Sequence, residues 1–371
     1  METQILPQGC VTECPACPHR LWSAQDSLKQ KSDWLASRLS AHQNVLESIR
    51  GLEDPARWGY RERSCLRAEW ATYHWHFGIQ VRSGREKKLV PIPGCPVHSS
   101  RVREILNYLS KTLPPPDRFP LIYVVIAGKL VTLVLKSSHL PSTVFYKESI
   151  LQSLGVEGIF LNLNPSAGDR IFSSRAWHLV WGKSRAHDDG GMQYGPGGFQ
   201  QLTPLLYRNA LAEAEMFLDL TPSDRVLDFY SGTGTSLARW KQKGAATIGV
   251  ELSGEAVECA EFNVAEVNCL RGRTSERIPQ LREWLKKTNY GRGKVAVFAN
   301  PPRTGFESEV LRWLCDKVRP KSIAYLSCSA GTLSRDLTLL THCGFRVKRL
   351  IPFDFFPQTR HVEVLALLER S

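Results

Sequence analysis

The chain has 371 residues, 42% of them hydrophobic, with 48 Lys plus Arg against 36 Asp plus Glu and a formal charge of +12. That is enough apolar material for two or three cored domains and excludes a disordered or fibrous chain, while the dispersed positive charge suits a polyanionic partner as well as solubility. No run approaches the roughly 20 apolar residues that span a bilayer, and "METQILPQGC" lacks a basic-then-apolar leader, so the expectation is a cytoplasmic protein with no membrane partner, whose ten cysteines are not a disulfide framework.

Residues 1–17 are rich in Pro and Cys. Cys10, Cys14 and Cys17 stand in the spacing Cys-x3-Cys-x2-Cys, and a fourth thiolate would complete a set for zinc or for a [4Fe-4S] cluster. "LWSAQDSLKQKSDWLASRLS" follows as a polar helix whose apolar residues recur at helical spacing, the pattern of a helix that packs on something else. Between about 60 and 190 the texture becomes aromatic and β-branched, in "WATYHWHFGIQV" and "FPLIYVVIAGKLVTLVLK", where "AGK" can turn between two strands. "SSRVREILNYLSKTL" and "YKESILQSLG" read as helices, which makes this a mixed α/β region. "KSRAHDDGGMQYGPGGFQ", residues 183–200, is Gly-rich and polar, as a linker or mobile loop would be.

After residue 203 strands and helices alternate. "RVLDFYSG", "ATIGVELS", "VAVFAN" and "SIAYLSC" are each followed by a helical pattern, which implies βαβ units in a parallel sheet. "FRVKRLI" and "HVEVLALLER" have no helix between them and so can pair antiparallel at its end.

Three stretches carry chemistry. In "VLDFYSGTGTS" Gly232 and Gly234 would let the backbone approach a ligand, and Glu251, 23 residues after Asp228, suits the hydroxyls of a ribose. The third glycine of the dinucleotide fingerprint is missing, so S-adenosylmethionine, which has no pyrophosphate, fits better than a nicotinamide cofactor. "FANPPRTGF" ends a strand in a rigid Pro-Pro turn that presents the Asn300 amide, a donor and an acceptor in one group, at the carboxyl edge where open α/β sheets bind ligands. Cys328, in "YLSCSAGTLSRDL", lies at the same edge beside a helix beginning near Thr332, whose partial positive charge would favour a thiolate. Glu363 begins a strand running the other way, which brings its carboxylate there too. A thiolate that adds to carbon 6 of a uracil makes carbon 5 nucleophilic enough to take a methyl group, and a base must then remove the carbon 5 proton.

"VLDFYSGTG", "GVELS", "NPPRTG", "YLSCSAGTLSRDL", "PFDFFPQTRHVEVLALLER" and "GGFQQLTP" together resemble the S-adenosylmethionine-dependent RNA uridine-5 methyltransferases, densely over residues 199–371. The resemblance implies a Rossmann-like class I methyltransferase domain, with Cys328 as nucleophile, Glu363 as base, and Gln201, Tyr230, Gly232, Gly234, Glu251 and Asn300 around the cofactor. Gln200 and Thr203 replace a Phe and an Asn of the family's "FFQxN" stretch, and the acidic residue often found after the third strand is replaced within "RGRTSE". Members with an iron-sulfur cluster ligate it through an N-terminal cysteine triplet and a distant cysteine. The resemblance therefore implies Cys10, Cys14, Cys17 and Cys95, with Cys65 as rival fourth ligand and zinc as the other metal.

The expected organisation is α/β: an iron-sulfur segment and helix over 1–55, a mixed α/β RNA-binding domain over 56–195 and the methyltransferase domain over 196–371. The small RNA-binding barrel that precedes the cysteine cluster in some relatives is not expected here, since Cys10 begins almost at the start, and that architecture resembles the branch acting on large-subunit ribosomal RNA. The expected function is methylation of a uridine in structured RNA, with 23S ribosomal RNA ahead of transfer RNA and no protein partner implied. A non-catalytic RNA-binding protein with a relic site and, more remotely, a nicotinamide dehydrogenase are the rivals.

Overall fold

The computed structural model describes residues 5–84, 86–141, 145–166, 171–173, 176–288 and 293–370. The chain divides into two compact units, one of residues 1–21 and 53–202, the other of 22–52 and 203–371. The expected segment 1–55 is thus not a unit of its own. Its cysteine-bearing start belongs to the first unit, whereas its helix, α1 (Ala24–Arg38), belongs to the second. The reason lies in two buried side chains of α1: Leu35 joins the main core of the second unit, and the Lys31 ammonium is paired with Asp354 at 2.5 Å. The expected break between 195 and 196 falls instead after Leu202. Among the described residues no helix is long and apolar enough to cross a membrane.

In the first unit β1 (Arg63–Ala71), β2 (His74–Ser83), β3 (Glu86–Pro91), α2 (Ser100–Thr112), β4 (Leu121–Ala127), β5 (Leu130–Leu135), α3 (Glu148–Ser153), β6 (Gly158–Leu163) and β7 (Trp177–Gly182) build a sheet of order β3-β2-β1-β4-β5-β6-β7, antiparallel except between β5 and β6. The "AGK" turn forms as expected, with Gly128 at φ +57. "WATYHWHFGIQV" is not one run but a hairpin broken at Thr72 and Tyr73, where neither Gly nor Pro marks the turn. Helix α2 presents Val102, Ile105, Leu106 and Leu109 at helical spacing and buries them against one face of this sheet, beside Leu66 and Phe77. The Gly-rich stretch is built in: β8 (Ala186–His187) pairs with β9 (Gln193–Tyr194), and the buried Tyr194 accepts the Lys129 N–H at 2.8 Å on its hydroxyl.

The second unit contains α4 (Pro204–Leu218), β10 (Arg225–Phe229), α5 (Thr235–Gln242), β11 (Ala246–Glu251), α6 (Gly254–Asn263), β12 (Asn268–Arg271), α7 (Ile278–Lys287), β13 (Val295–Ala299), α8 (Ser308–Trp313), β14 (Ser322–Ser327), α9 (Ala330–His342), β15 (Phe345–Phe353) and β16 (Glu363–Arg370). Strand residues alternate between two apolar layers. Leu227, Val297 and Tyr325 face α1 and α9, while Val226, Phe298 and Leu326 face α4 and α5. Helices on both faces are why these strands read as unbroken apolar runs rather than as alternating ones. The order is β12-β11-β10-β13-β14-β16-β15, parallel except that β16 runs against both its neighbours. The two final strands pair as expected, with the later one inserted between β14 and β15. This is a Rossmann-like α/β fold whose strand order reverses at β10 and β13, where such sheets open a crevice at their carboxyl ends. Strand β12 is implied by the resemblance as the third strand but is not among those read from apolar runs, because four residues with one polar end leave no periodic signal.

The ten cysteines form no disulfide framework, but one pair that the sequence did not single out is bonded. Cys315, just after α8, is bonded to Cys343, which caps α9, with Cα atoms 5.6 Å apart; the other eight cysteines take part in no disulfide. The chain folds back on itself over this separation of 28 positions, a proximity that spacing alone does not reveal.

Candidate active site

The carboxyl ends of β10, β11, β13 and β14 converge on the second unit's crevice. After β10 the chain turns through Tyr230 at φ +60 and Gly232 at φ +56, and a Cβ on Gly232 would meet nothing within 4 Å, so this backbone faces open space. Gly234 has a second constraint: its φ of +91 favours glycine, and a Cβ there would press on Ala260 of α6 at 3.2 Å, so helix packing also requires its small size. The Glu251 carboxylate is fixed between the two loops, accepting the N–H of Gly232 at 3.1 Å and of Ser253 at 2.8 Å. Asp228, fully buried, accepts from the Trp240 indole N–H at 2.8 Å through one oxygen and has no partner on the other. Burial pushes its carboxyl up to about 7. An orphaned buried acceptor, an open glycine turn and a fixed carboxylate at one sheet edge fit a ligand with an amino group and ribose hydroxyls.

Glu307, which the sequence reading passed over, binds this edge together. From the N-cap of α8 it accepts the Thr274 N–H at 3.1 Å, the Ser275 N–H at 3.4 Å, the Ser275 hydroxyl, and the Tyr230 hydroxyl at 3.5 Å. The loop after β12, whose own Glu276 accepts the Arg273 N–H at 3.3 Å, thus also receives a carboxylate from another element. The only sequence signal was an acid at the end of "NPPRTGFE".

The Pro-Pro loop is strapped to α9. The Asp336 carboxylate, buried inside α9, accepts from the Phe306 N–H at 3.1 Å and the Tyr325 hydroxyl at 2.9 Å, and the Thr332 hydroxyl donates to the Arg303 carbonyl at 2.9 Å. Gly305, at φ +76, lies where a Cβ would strike Asp336 and Thr332 within 2.5 Å. Asn300 follows β13 as expected, and its side-chain amide, with the carboxyls of Asp228 and Glu363, acts on the hydroxyl of Tyr207 on α4. Burial raises the Tyr207 phenol well above its usual range. Tyr207 was also missed, since a tyrosine within an amphipathic helix reads as core.

Cys328 follows β14, and its neighbour Ser329 caps α9, accepting the Thr332 N–H on its hydroxyl at 3.4 Å. The helix therefore starts at Ala330. The expected lowering of the thiol pKa is overturned: burial, and next the charge of Glu363, push the Cys328 thiol up, and the opposing pull of Arg303 does not compensate. The helix end is outweighed because the half-buried sulfur also faces a carboxylate. Glu363 is 4% exposed, and one of its oxygens has no hydrogen-bond partner. Burial lifts its carboxyl to about 7, against the pull of Arg303. Arg303, unremarked in sequence, is thus the cation common to both groups.

Gln201 is the penultimate residue of the first unit and half-buried. Thr203, standing for the family's Asn, opens the second unit and donates its hydroxyl to the Phe355 carbonyl at 2.9 Å.

In the first unit Cys10, Cys14, Cys17 and Cys95 line one small cavity with Trp58 and Ile92. The Cys17 thiol is pushed up to about 12, by burial first and then by the charges of Cys95, Cys14 and Cys10. Cys65 lies outside that cavity. Among the described residues, no three or more His, Cys, Asp or Glu side chains stand so as to hold a metal ion.

The family model of the tRNA (uracil-5-)-methyltransferases matches residues 218–371. An uncharacterised RNA methyltransferase of Listeria innocua is 30% identical over 395 residues, covering 98% of this chain and 83% of the relative. The 23S rRNA (uracil(1939)-C(5))-methyltransferase of Shewanella woodyi is 29% identical over 326 residues, 85% of this chain and 70% of that protein. In fold, the tRNA (uracil-54, C5)-methyltransferase of Pyrococcus abyssi, solved with S-adenosylhomocysteine, superimposes with a TM-score of 0.71 at 22% identity, over 95% of this chain and 85% of that one.

Proposed function

Because the chain belongs to the RNA (uracil-5-)-methyltransferase family and is an S-adenosylmethionine-dependent RNA methyltransferase, we propose that it methylates carbon 5 of a uridine in 23S ribosomal RNA through a covalent bond from Cys328 to carbon 6. The observation that carries this reading is the register of β14 and β16, which sets a thiol and a buried carboxyl side by side at the ligand-binding edge of the sheet.

Asp228, Tyr230, Gly232, Glu251 and Asn300 would hold S-adenosylmethionine, which when bound supplies an electrophilic methyl group. Gln201 is assigned to the same ligand by resemblance. The Cys328 sulfur adds a lone pair to carbon 6 of a uracil flipped from its stack, and the π electrons of the 5,6 double bond move toward the carbon 4 oxygen as an enolate. Carbon 5 would then use the enolate electron pair to bond the methyl group, whose bond to the cofactor's sulfur breaks to leave S-adenosylhomocysteine. Glu363 removes the carbon 5 proton, the released electron pair restores the double bond, and the carbon-sulfur bond breaks to return the thiolate. The raised values of both groups serve this order. Their like charges discourage simultaneous ionisation, and once the sulfur is bonded to carbon its negative charge is gone, so Glu363 is free to act as a carboxylate.

Cys10, Cys14, Cys17 and Cys95 are read as ligands of a [4Fe-4S] cluster. What supports this is that four thiols border one space without converging on a point. A single zinc ion at about 2.3 Å from each sulfur would need them drawn together, whereas a cluster is ligated from outside. The two loops are already closely packed: a Cβ on Gly9 would lie 2.1 Å from the Gly94 carbonyl. Such a cluster would clamp the N-terminal loop to the first unit, which we assign to RNA contact, while the second unit does the chemistry.

The ribosomal reading draws on the Shewanella relative; the name of the matching family model favours transfer RNA as the second reading. Incubation with methyl-labelled S-adenosylmethionine and either unmodified 23S ribosomal RNA or unmodified transfer RNA, followed by mapping of the labelled base, decides. Label at carbon 5 of a uridine in the ribosomal substrate is expected; label confined to transfer RNA would overturn that choice.

A further inference from the structure

The hairpin between β1 and β2 closes on the pair Ala71 and His74, so its turn consists of Thr72 and Tyr73 alone. Both sit in the left-handed region, at φ +49 and +63. Two-residue turns of this kind are ordinarily filled by Asn-Gly or Asp-Gly, because a β-branched or bulky side chain is strained there. Strain kept where glycine would relieve it points to a use for the side chain, and Tyr73 is 94% exposed.

The turn continues an unusual sheet face. Side chains alternate along β2, so Trp75 and Phe77 are buried while His74 and His76 lie on the opposite face, with ring centroids 4.5 Å apart. Arg82 shares that face. Register adds Arg67, opposite Gly78, and Lys87, opposite Arg82. The Arg67 guanidinium lies 5.1 Å over the ring of Tyr123, its register partner in β4. Glu69, opposite His76, is an acid on this face. Helix α2 covers the other side, where the Ser110 hydroxyl donates to the Trp75 carbonyl at 2.5 Å.

We propose that the Tyr73 turn and the face beside it bind single-stranded RNA, with Tyr73 and the His74–His76 pair stacking on unpaired bases and Arg67, Arg82 and Lys87 meeting phosphates. Every base has a π-face, so such stacking tolerates any sequence, whereas a duplex keeps its bases inside and denies it. The inference rests on RNA being the substrate and deepens that reading by naming a strand-binding surface in the first unit.

The test is fluorescence anisotropy of the full chain with a labelled oligouridine and with an RNA duplex of equal length. Tyr73→Ala is expected to weaken oligouridine binding about 5- to 100-fold and to leave duplex binding unchanged, and Tyr73→Trp to preserve both. The double variant Thr72→Asn, Tyr73→Gly suits the turn better, so it should melt at a higher temperature yet bind oligouridine as poorly as Tyr73→Ala. Oligouridine binding within about twofold of wild type in both variants overturns the surface, whether or not the wild type transfers methyl groups. A wild type that transfers none, with binding still dependent on Tyr73, overturns only the catalytic reading.

Discussion

Cys328 follows, and Glu363 precedes, the last register pair of β14 and β16, Ser327 opposite Val364, which makes the thiol and the carboxyl neighbours across two antiparallel strands. The charge of Glu363 raises the cost of ionising the Cys328 thiol, and Arg303 draws both groups toward the charged form. If the two act as nucleophile and base, several consequences can be measured.

Replacing Cys328 by Ala is expected to abolish methyl transfer and any covalent link to RNA. Glu363→Gln should still form the link but resolve it about 10²- to 10⁴-fold more slowly, so a denaturant-stable protein-RNA species accumulates on gels. A fully active Cys328→Ala enzyme would exclude the covalent route.

The pH dependence follows from the directions of the two shifts. Both groups must lose a proton to act, Glu363 near pH 7 and the Cys328 thiol above its ordinary value, so kcat/KM should rise as pH increases through about 7 and keep rising beyond it. Removing the neighbouring charge in Glu363→Gln should lower the thiol pKa and speed alkylation of Cys328 at about pH 8. A rate profile flat from about pH 6 upward would contradict this assignment.

Stability should move the opposite way. The folded state keeps a proton on Glu363 that the unfolded chain gives up, so the stability this group contributes is present at low pH and lost as pH rises through about 7. Glu363→Gln is therefore expected to exceed wild type by roughly 1 to 3 kcal/mol at about pH 8, and by little at about pH 4, in urea unfolding. Equal gains at both pH values would show that desolvation of a charge is not the cause.

Glu307→Gln leaves a single carbonyl oxygen to satisfy the amides of Thr274 and Ser275 and the hydroxyls of Ser275 and Tyr230. Loss of about two charge-assisted bonds should weaken S-adenosylmethionine binding roughly tenfold in calorimetry, with oligouridine affinity unchanged. Unaltered cofactor affinity would mean that the loop after β12 does not depend on this carboxylate.

Anaerobic reconstitution with iron and sulfide should give visible absorbance that Cys95→Ser removes and Cys65→Ser retains, because only Cys95 shares the cavity of the triplet. The reverse ranking would transfer the fourth position to Cys65, and the absence of colour with stoichiometric zinc would replace the cluster by a single ion.

Much of the second unit could be read from residues alone. Fully buried parallel strands must be continuous apolar runs, and their turns must carry residues such as Gly232 and Pro301, so "VLDFYSGTG" and "FANPPRTG" declared both their conformation and the edge of the sheet they occupy. Cys328 and Glu363 were found the same way, since strand direction alone brings the end of one beside the start of the other.

What the sequence determined is therefore what local periodicity and chain direction encode: most of the elements, the parallel sense of the strands joined by helices and the residue types at their ends. Tertiary structure alone decided the assignment of α1 and the cysteine loop to different units, the Cys315–Cys343 bond, the turn at Tyr73, and the reach of Glu307, Tyr207 and Arg303 into the site. It also reversed the sign of the Cys328 shift. Each of these depends on burial and on partners distant along the chain, and a desolvation cost or a Coulomb interaction has no value until folding sets the distance and the dielectric around the group.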